Sequence, residues 1–172
     1  MSEFFTVLTR TGQAKLANAI ATATPLQITH ISVGDGNGQA VPVSEAVTAL
    51  VRETYRGQVN TLTRDAGNPN WAIAEMVIPT DVGGWTVREV GMFDAAGDLI
   101  AYGNFPASYK PVIAEGSGKE LVVRMYVETS AAAAIQLKID PTVVLATRAW
   151  VVSQLQRAGR IARPANYFMA QI

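Results

Sequence analysis

The chain has no cysteine, one histidine and little charge. Charged side chains make up 16% of its 172 residues. The missing cysteines exclude disulfides and thiolate metal sites, and they leave the redox compartment unread. A lone histidine excludes a His-based metal centre, which needs a second His or a Cys. His30 lies in a β-prone run, where a structural hydrogen bond is its ordinary role. No stretch approaches the ~20 apolar residues that span a bilayer. The N-terminus MSEFFTVLTRTGQ carries an early Glu3 and no apolar h-region, so it is not a signal peptide. The chain reads as soluble and made in a cytoplasm.

What is present is an apolar fraction of 49% at a formal net charge of zero. That composition is globular, and its length suits one domain with a short appendage. So few charges suggest surface covered by other chains. Charge is unevenly spread. Residues 1–140 carry 10 basic and 14 acidic side chains, a balance of −4. Residues 141–172 carry Arg148, Arg157, Arg160 and Arg163 and no acid, a balance of +4. Four Arg over that length make a weak nucleic-acid patch, and a helix docked on an acidic protein neighbour fits them better.

Residues 11–23 have a helical pattern, with Leu16, Ala17, Ile20 and Ala21 on one face, Thr11 as N-cap and Pro25 as stop. Residues 26–33 are strand-like, and Gly34–Gly38 form a turn in which Gly and Asn accept positive φ. Ser44-Glu45 suggest the cap of a short helix to about Val51. Residues 52–64 then read as one strand with a bulge at Gly57. Further strands are expected at Trp71–Ile78, Trp85–Phe93 and Leu99–Asn104, with Gly97 left-handed in the hairpin loop between the last two. Arg88 and Glu89 are adjacent within a strand, so one of the two charges must face the interior or a partner. The choice stays open.

Alternation is clearest at 120–128, where Leu121, Val123, Met125 and Val127 share a face, and at 135–139, where Ile135, Leu137 and Ile139 do. Both read as half-buried antiparallel strands. Asp140-Pro141-Thr142 opens a helix whose apolar residues spread around most of its circumference, so it needs cover on several sides. The expected class is α+β, a mainly antiparallel β-sheet domain over 1–140 with an N-terminal helix. A C-terminal helix and tail over 141–172 would find that cover by association with copies of itself.

No motif carries chemistry. Gly116-Ser117-Gly118-Lys119 fails as a phosphate loop, because Ile113 and Glu120 stand where Gly and Ser or Thr are required. Asp35 and Asn37 lack the rest of a calcium loop, including its twelfth-position Glu. Glu75, Asp81, Glu89 and Asp94 are carboxylates that sequence cannot pair. The run Asn104–Pro111 reads as a loop stiffened by two prolines and presenting Phe105 and Tyr109. It either packs over a sheet or anchors an interface.

Several words of the chain resemble one family. They are VGDGNG (33–38), RETYRGQVN (52–60), NPNWAIAEMVIP (68–79), VGGWTVREVGMFDAAGDLIA (82–101), NFPASYKP (104–111), EGSGKEL (115–121) and KIDPTVVLATRAWV (138–151). The chain is similar to the N-terminal domain of phage tail-collar fibre proteins, the tail fibres of contractile-tailed phages and R-type pyocins, over roughly 1–155. The resemblance implies a structural virion protein with no catalysis and no cofactor. It would be the baseplate-proximal domain of a trimeric fibre, fastening that fibre to the tail baseplate for host adsorption.

The implied partners are two further copies in a homotrimer, baseplate protein of a contractile tail, and a distal fibre chain or continuation. Nucleic acid and membrane are not among them. From the apolar pattern, attachment is expected at Phe4, Phe5, Leu8, Phe105 and Tyr109. Trimerisation is expected at Val144, Leu145, Val151, Val152 and Leu155. Family members continue for hundreds of residues past this point, so host recognition is not assigned to this chain. A rival reading is a β-rich carbohydrate-binding module showing Trp85, Tyr102 or Tyr109 to a glycan. A hydrolase is a weaker third, for want of paired carboxylates.

Overall fold

A computed structural model describes residues 5–112, 116, 119–129 and 134–137. Two β-sheets pack face to face. Strand β1 (Thr6–Leu8) leads into helix α1 (Arg10–Thr22), then β2 (Leu26–Gly34), β3 (Glu53–Gln58), β4 (Thr61–Arg64), β5 (Trp71–Ile78), β6 (Trp85–Asp94), β7 (Leu99–Lys110), β8 (Leu121–Glu128) and β9 (Ile135–Leu137). The larger sheet runs β1-β7-β6-β2-β3, with β9 alongside β2, and the smaller runs β4-β5-β8. Every pairing is antiparallel except β9 on β2. The mainly antiparallel domain with a helix near its N-terminus is therefore observed. The helix and tail expected over 141–172 lie outside the described residues.

The core lies between the sheets. Ile31, Val33, Val90 and Met92 come from the larger sheet. Ala72, Ala74, Met76 and Ile78 of β5 meet them, with Val123, Met125 and Val127 of β8. The alternation expected in β8 is therefore the burial observed. The 135–139 strand differs from expectation. Its described residues, Ile135–Leu137, run parallel to β2 rather than antiparallel, pairing Leu26 with Ile135 and Ile28 with Leu137.

Strand 52–64 is in fact two strands that belong to different sheets. Val59 N–H still donates to Thr29 C=O of the larger sheet (3.0 Å), whereas Asn60 N–H donates to Glu75 C=O of the smaller (2.8 Å). The Asn60 side chain accepts from Val77 N–H at 2.9 Å and closes the corner. Gly57 is not a bulge, since its register against Ile31 is regular. It is small because a Cβ there would stand 2.8 Å from Met76 Sδ.

The helix starts earlier than Thr11. Thr9 is the N-cap: its hydroxyl accepts from Gly12 N–H (3.0 Å) and donates to Leu99 C=O (2.6 Å). The buried face is Gly12, Leu16 and Ala19, and Ile20 is exposed. Close approach of the helix backbone at Gly12 to β7 selects that face over the more apolar Leu16–Ile20 stripe. Ala23, in the left-handed region, ends the helix ahead of Pro25.

The Ser44–Val51 helix does not form. Residues Val41, Val43, Val47 and Leu50 instead pack on Phe93, Leu99 and Tyr102, against the face of the larger sheet turned away from the core. Asn104–Pro111 is likewise corrected, because β7 runs through it to Lys110. Its irregularity is a bulge. Glu89 opposes Asn104 while Val87 opposes Ser108, which leaves three β7 residues opposite Arg88 alone.

Candidate functional site

The two sheets meet along two edges of different character. At one edge lies the Val59–Asn60 corner, where β9 also touches β4. The other edge joins β1 to β8, where the Thr6 hydroxyl donates to Tyr126 C=O. Beyond Thr6 this second edge opens into a cleft of about 300 Å³. Phe105, Pro106 and Asn104 line it from β7, and Trp71, Tyr126 and Glu128 from the smaller sheet.

The cleft is aromatic because of strand alternation. Trp71 stands opposite Glu128, and Ile73 opposite Tyr126, on the outer face of the smaller sheet. Trp71 and Tyr126 meet edge to face with ring centroids 6.2 Å apart, a favoured aromatic geometry. Tyr126 and Val122 remain exposed on this face. Beside them Arg124 forks onto Glu75 (2.7 and 3.0 Å). The Trp71 indole N–H is buried and has no acceptor among the described residues.

The expected attachment residues separate here. Phe5 is 49% exposed and Tyr109 57% exposed. Phe5 N–H donates to the Asn104 side chain at 2.9 Å. Phe105 lines the cleft and packs on the core, and Leu8, half-buried, packs on the core as well. Phe4 lies outside the described residues, as do Val144, Leu145, Val151, Val152 and Leu155. Nothing in residue type alone marks Trp71 or Tyr126 as edge residues. Their placement depends on which strand closes against β1.

Of the three aromatics that the carbohydrate-binding reading named, one is displayed. Tyr102 is fully buried, and Trp85 packs against the core, which leaves Tyr109 displayed.

The Arg88–Glu89 question has a clear answer. Glu89 is 0% exposed and faces away from the intersheet core, under the 35–52 segment. Its carboxylate accepts from Val51 N–H (2.9 Å), Arg52 N–H (2.9 Å), Gly36 N–H (3.3 Å) and the Tyr102 hydroxyl (2.7 Å). Burial, and then the Glu89 carboxylate, push the Tyr102 hydroxyl well above the usual tyrosine value. Arg52 in turn forks onto Asp35, and that guanidinium holds the Asp35 carboxyl below its ordinary value.

Two of the other carboxylates, Glu75 and Asp94, are engaged in ion pairs, and Asp81 is exposed. Glu75 pairs with Arg124, and Asp94 with Lys15. Asp94 also accepts from the Ala96 and Asp98 N–H groups, closing the hairpin in which Gly97 has φ +86° as expected. His30 Nδ1 lies 2.9 Å from the Thr29 hydroxyl, and burial followed by the Arg56 charge lowers its pKa. Among the described residues no group of three or more His, Cys, Asp or Glu side chains is placed to hold a metal.

Comparison with known proteins agrees with the resemblance. The family model for phage tail-collar fibre protein, N-terminal, matches residues 1–149. A probable tail fiber protein of Escherichia phage P2 is 46% identical over 151 residues, which is 87% of this chain and 22% of that protein. The chain thus spans about a fifth of the curated relative. No solved structure matches.

Proposed function

The chain belongs to the phage tail-collar fibre family, and from that membership we propose that it is the baseplate-proximal attachment domain of a trimeric fibre on a contractile tail. Its place is the virion, at the tail, and its family role is structural. The observation that carries the finer reading is the polarity of the two edges. Exposed Phe5 and the aromatic cleft lie at the β1/β8 edge, while the chain runs on past Leu137 from β9, which lies by β4. A domain that presents an exposed aromatic edge suits a coupling between particle and fibre.

In this reading the attachment surface is built from the Phe4–Phe5 segment, Phe105 and Tyr109, with Leu8 anchoring it from the core. Val144, Leu145, Val151, Val152 and Leu155 hold three copies together. A distal chain or continuation meets the host.

Two variants separate attachment from assembly. Phe5→Ala with Tyr109→Ala is expected to lower incorporation of fibre into tails at least ~10-fold, because exposed aromatic anchors dominate interfaces. The trimer mass by light scattering should not change. Val144→Ala, Val151→Ala and Leu155→Ala together are expected to yield monomer. Normal incorporation of the first variant, or an intact trimer in the second, would overturn the corresponding half of the reading. A glycan bound by the isolated chain would favour the carbohydrate-module rival.

A further inference from the structure

We propose that Asn37 is a conditional deamidation site, kept intact by the folded 35–38 loop and converted when that loop opens. Asn37 is followed by glycine, whereas the other asparagines are followed by Ala, Thr, Pro, Trp, Phe or Tyr. Glycine has no side chain to shield its nitrogen or to restrict its rotation, which makes Asn-Gly the pair most prone to this reaction. The glycine nitrogen, once deprotonated, attacks the side-chain carbonyl carbon of the asparagine. A five-membered succinimide forms and ammonia leaves. Water then opens the ring at either carbonyl, giving aspartate or isoaspartate.

The loop itself selects the labile pair. Asn37 has φ 54° and Gly38 φ +80°, and asparagine is among the few side chains that tolerate the left-handed region. The same geometry blocks the reaction. Ring closure needs the Gly38 nitrogen to swing round to the Asn37 Cβ, and a ψ of 37° holds it on nearly the opposite side of the Cα–C bond. The Gly38 N–H is also engaged by the Asp35 carbonyl at 3.0 Å, which opposes both rotation and loss of the proton. Packing gives no such protection. Asn37 and Gly38 are exposed, so water reaches them, and a Cβ at Gly38 would meet nothing within 4 Å.

What maintains this conformation lies one residue away. The Asp35 N–H donates to Arg52 C=O (3.2 Å), and the Gly36 N–H donates to Glu89 (3.3 Å). The Asp35 carboxylate accepts from the Asn37 N–H (3.0 Å) and from Arg52 Nε (2.7 Å). The loop is thus pinned at Asp35 and Gly36 and reactive at the next two residues. Loss of the Arg52 guanidinium loosens Asp35, and with it the carbonyl that restrains Gly38. Isoaspartate adds a carbon to the main chain, so the Asp35–Gly38 turn cannot re-form and the opening becomes permanent. A tail part is not replaced once the particle is built, so such events accumulate. The inference does not depend on what the chain attaches to.

The test follows the mass gain of deamidation at Asn37 by peptide mapping of the full chain, held at mildly alkaline pH, with enzymatic methylation reporting isoaspartate. The folded wild type is expected to react at least ~10-fold more slowly than a synthetic peptide of residues 33–41, because reaction waits on local opening. Arg52→Ala, shown to be folded by near-ultraviolet circular dichroism, is expected to react at least ~3-fold faster than the wild type, since its loop opens more often. Asn37→Gly, which keeps the positive φ, should abolish the signal. Equal rates in the wild type and the peptide overturn the proposal without recourse to any variant. A folded Arg52→Ala that reacts no faster than the wild type overturns the pinning of the loop through Asp35.

Discussion

Glu89→Gln is expected to lose ~3 kcal/mol of stability, although it changes one atom. The carboxylate meets four donors, and each oxygen takes two: Oε1 those of Gly36 and Arg52, Oε2 those of Val51 and Tyr102. A carboxamide has one acceptor oxygen, so its NH₂ must face either pair of donors. The Tyr102 hydroxyl can turn to accept, but a backbone N–H cannot. At least one buried N–H is therefore stranded, at a cost of ~1–3 kcal/mol, and charge-assisted bonds worth ~1.5–3 kcal/mol become neutral ones. For a chain of this size the result is a fall of ~6–12 °C in Tm, measured by thermal unfolding. Amide exchange should show where the loss falls, with Val51 and Arg52 deprotecting before the intersheet core. Stability equal to the wild type would show that Glu89 does not hold the 35–52 segment.

The same node has a pH signature. The folded chain keeps the Tyr102 proton above the ordinary tyrosine value of ~10, where the unfolded chain loses it. Above that pH the folded state binds more protons, so stability falls as pH rises further. Tyr55, raised mainly by burial, adds to the alkaline loss. The difference between wild type and Tyr102→Phe isolates the Tyr102 share, and the variant's alkaline slope should be shallower.

Much of this fold was legible because its signals are local. The β8 alternation, the Gly97 turn and the Trp71–Ile78 strand follow from residues within one element of each other. What stayed hidden depends on contacts distant in sequence. Sequence leaves open whether Arg88 or Glu89 turns inward, because the N–H groups that hold Glu89 belong to Val51 and Arg52, 38 and 37 residues away. Ser44 to Val51 reads as a short helix, but its Val47 and Leu50 side chains find Phe93 and Tyr102, and its Val51 N–H finds a carboxylate. Phe105–Lys110, with a proline, reads as loop because a bulge absorbs residues that regular pairing would exclude. The edge cleft was half legible. Phe5 and Phe105 stood out as apolar residues in odd places, whereas Trp71 and Tyr126 required the knowledge that β8 closes against β1.

Gly12→Ala sets a local rule against a tertiary one and links the fold to the attachment edge. Helix propensity alone predicts a gain of up to ~1 kcal/mol for replacing a glycine inside a helix. Here an added Cβ would lie 2.0 Å from the Ile100 carbonyl oxygen, a backbone atom that no side-chain rotation can move. The helix would have to withdraw from β7, and overpacking of this kind costs ~1–3 kcal/mol. Withdrawal also strains the Thr9 cap, whose hydroxyl bridges Gly12 N–H and Leu99 C=O, a contact of a type worth ~1 kcal/mol. The losses exceed the gain, so a net destabilisation of ~1–3 kcal/mol is expected by urea unfolding. Functionally, α1 follows β1 directly through Thr9, whose N–H is bonded to Ile100 C=O at 3.0 Å. A shifted helix therefore pulls on a strand of three residues that carries Phe5 at its outer end. Gly12→Ala is accordingly expected to reduce incorporation into tails more than a surface substitution of equal stability cost, such as one at exposed Ile20. Equal or greater stability of Gly12→Ala would mean that the helix does not rest on β7 through its own backbone.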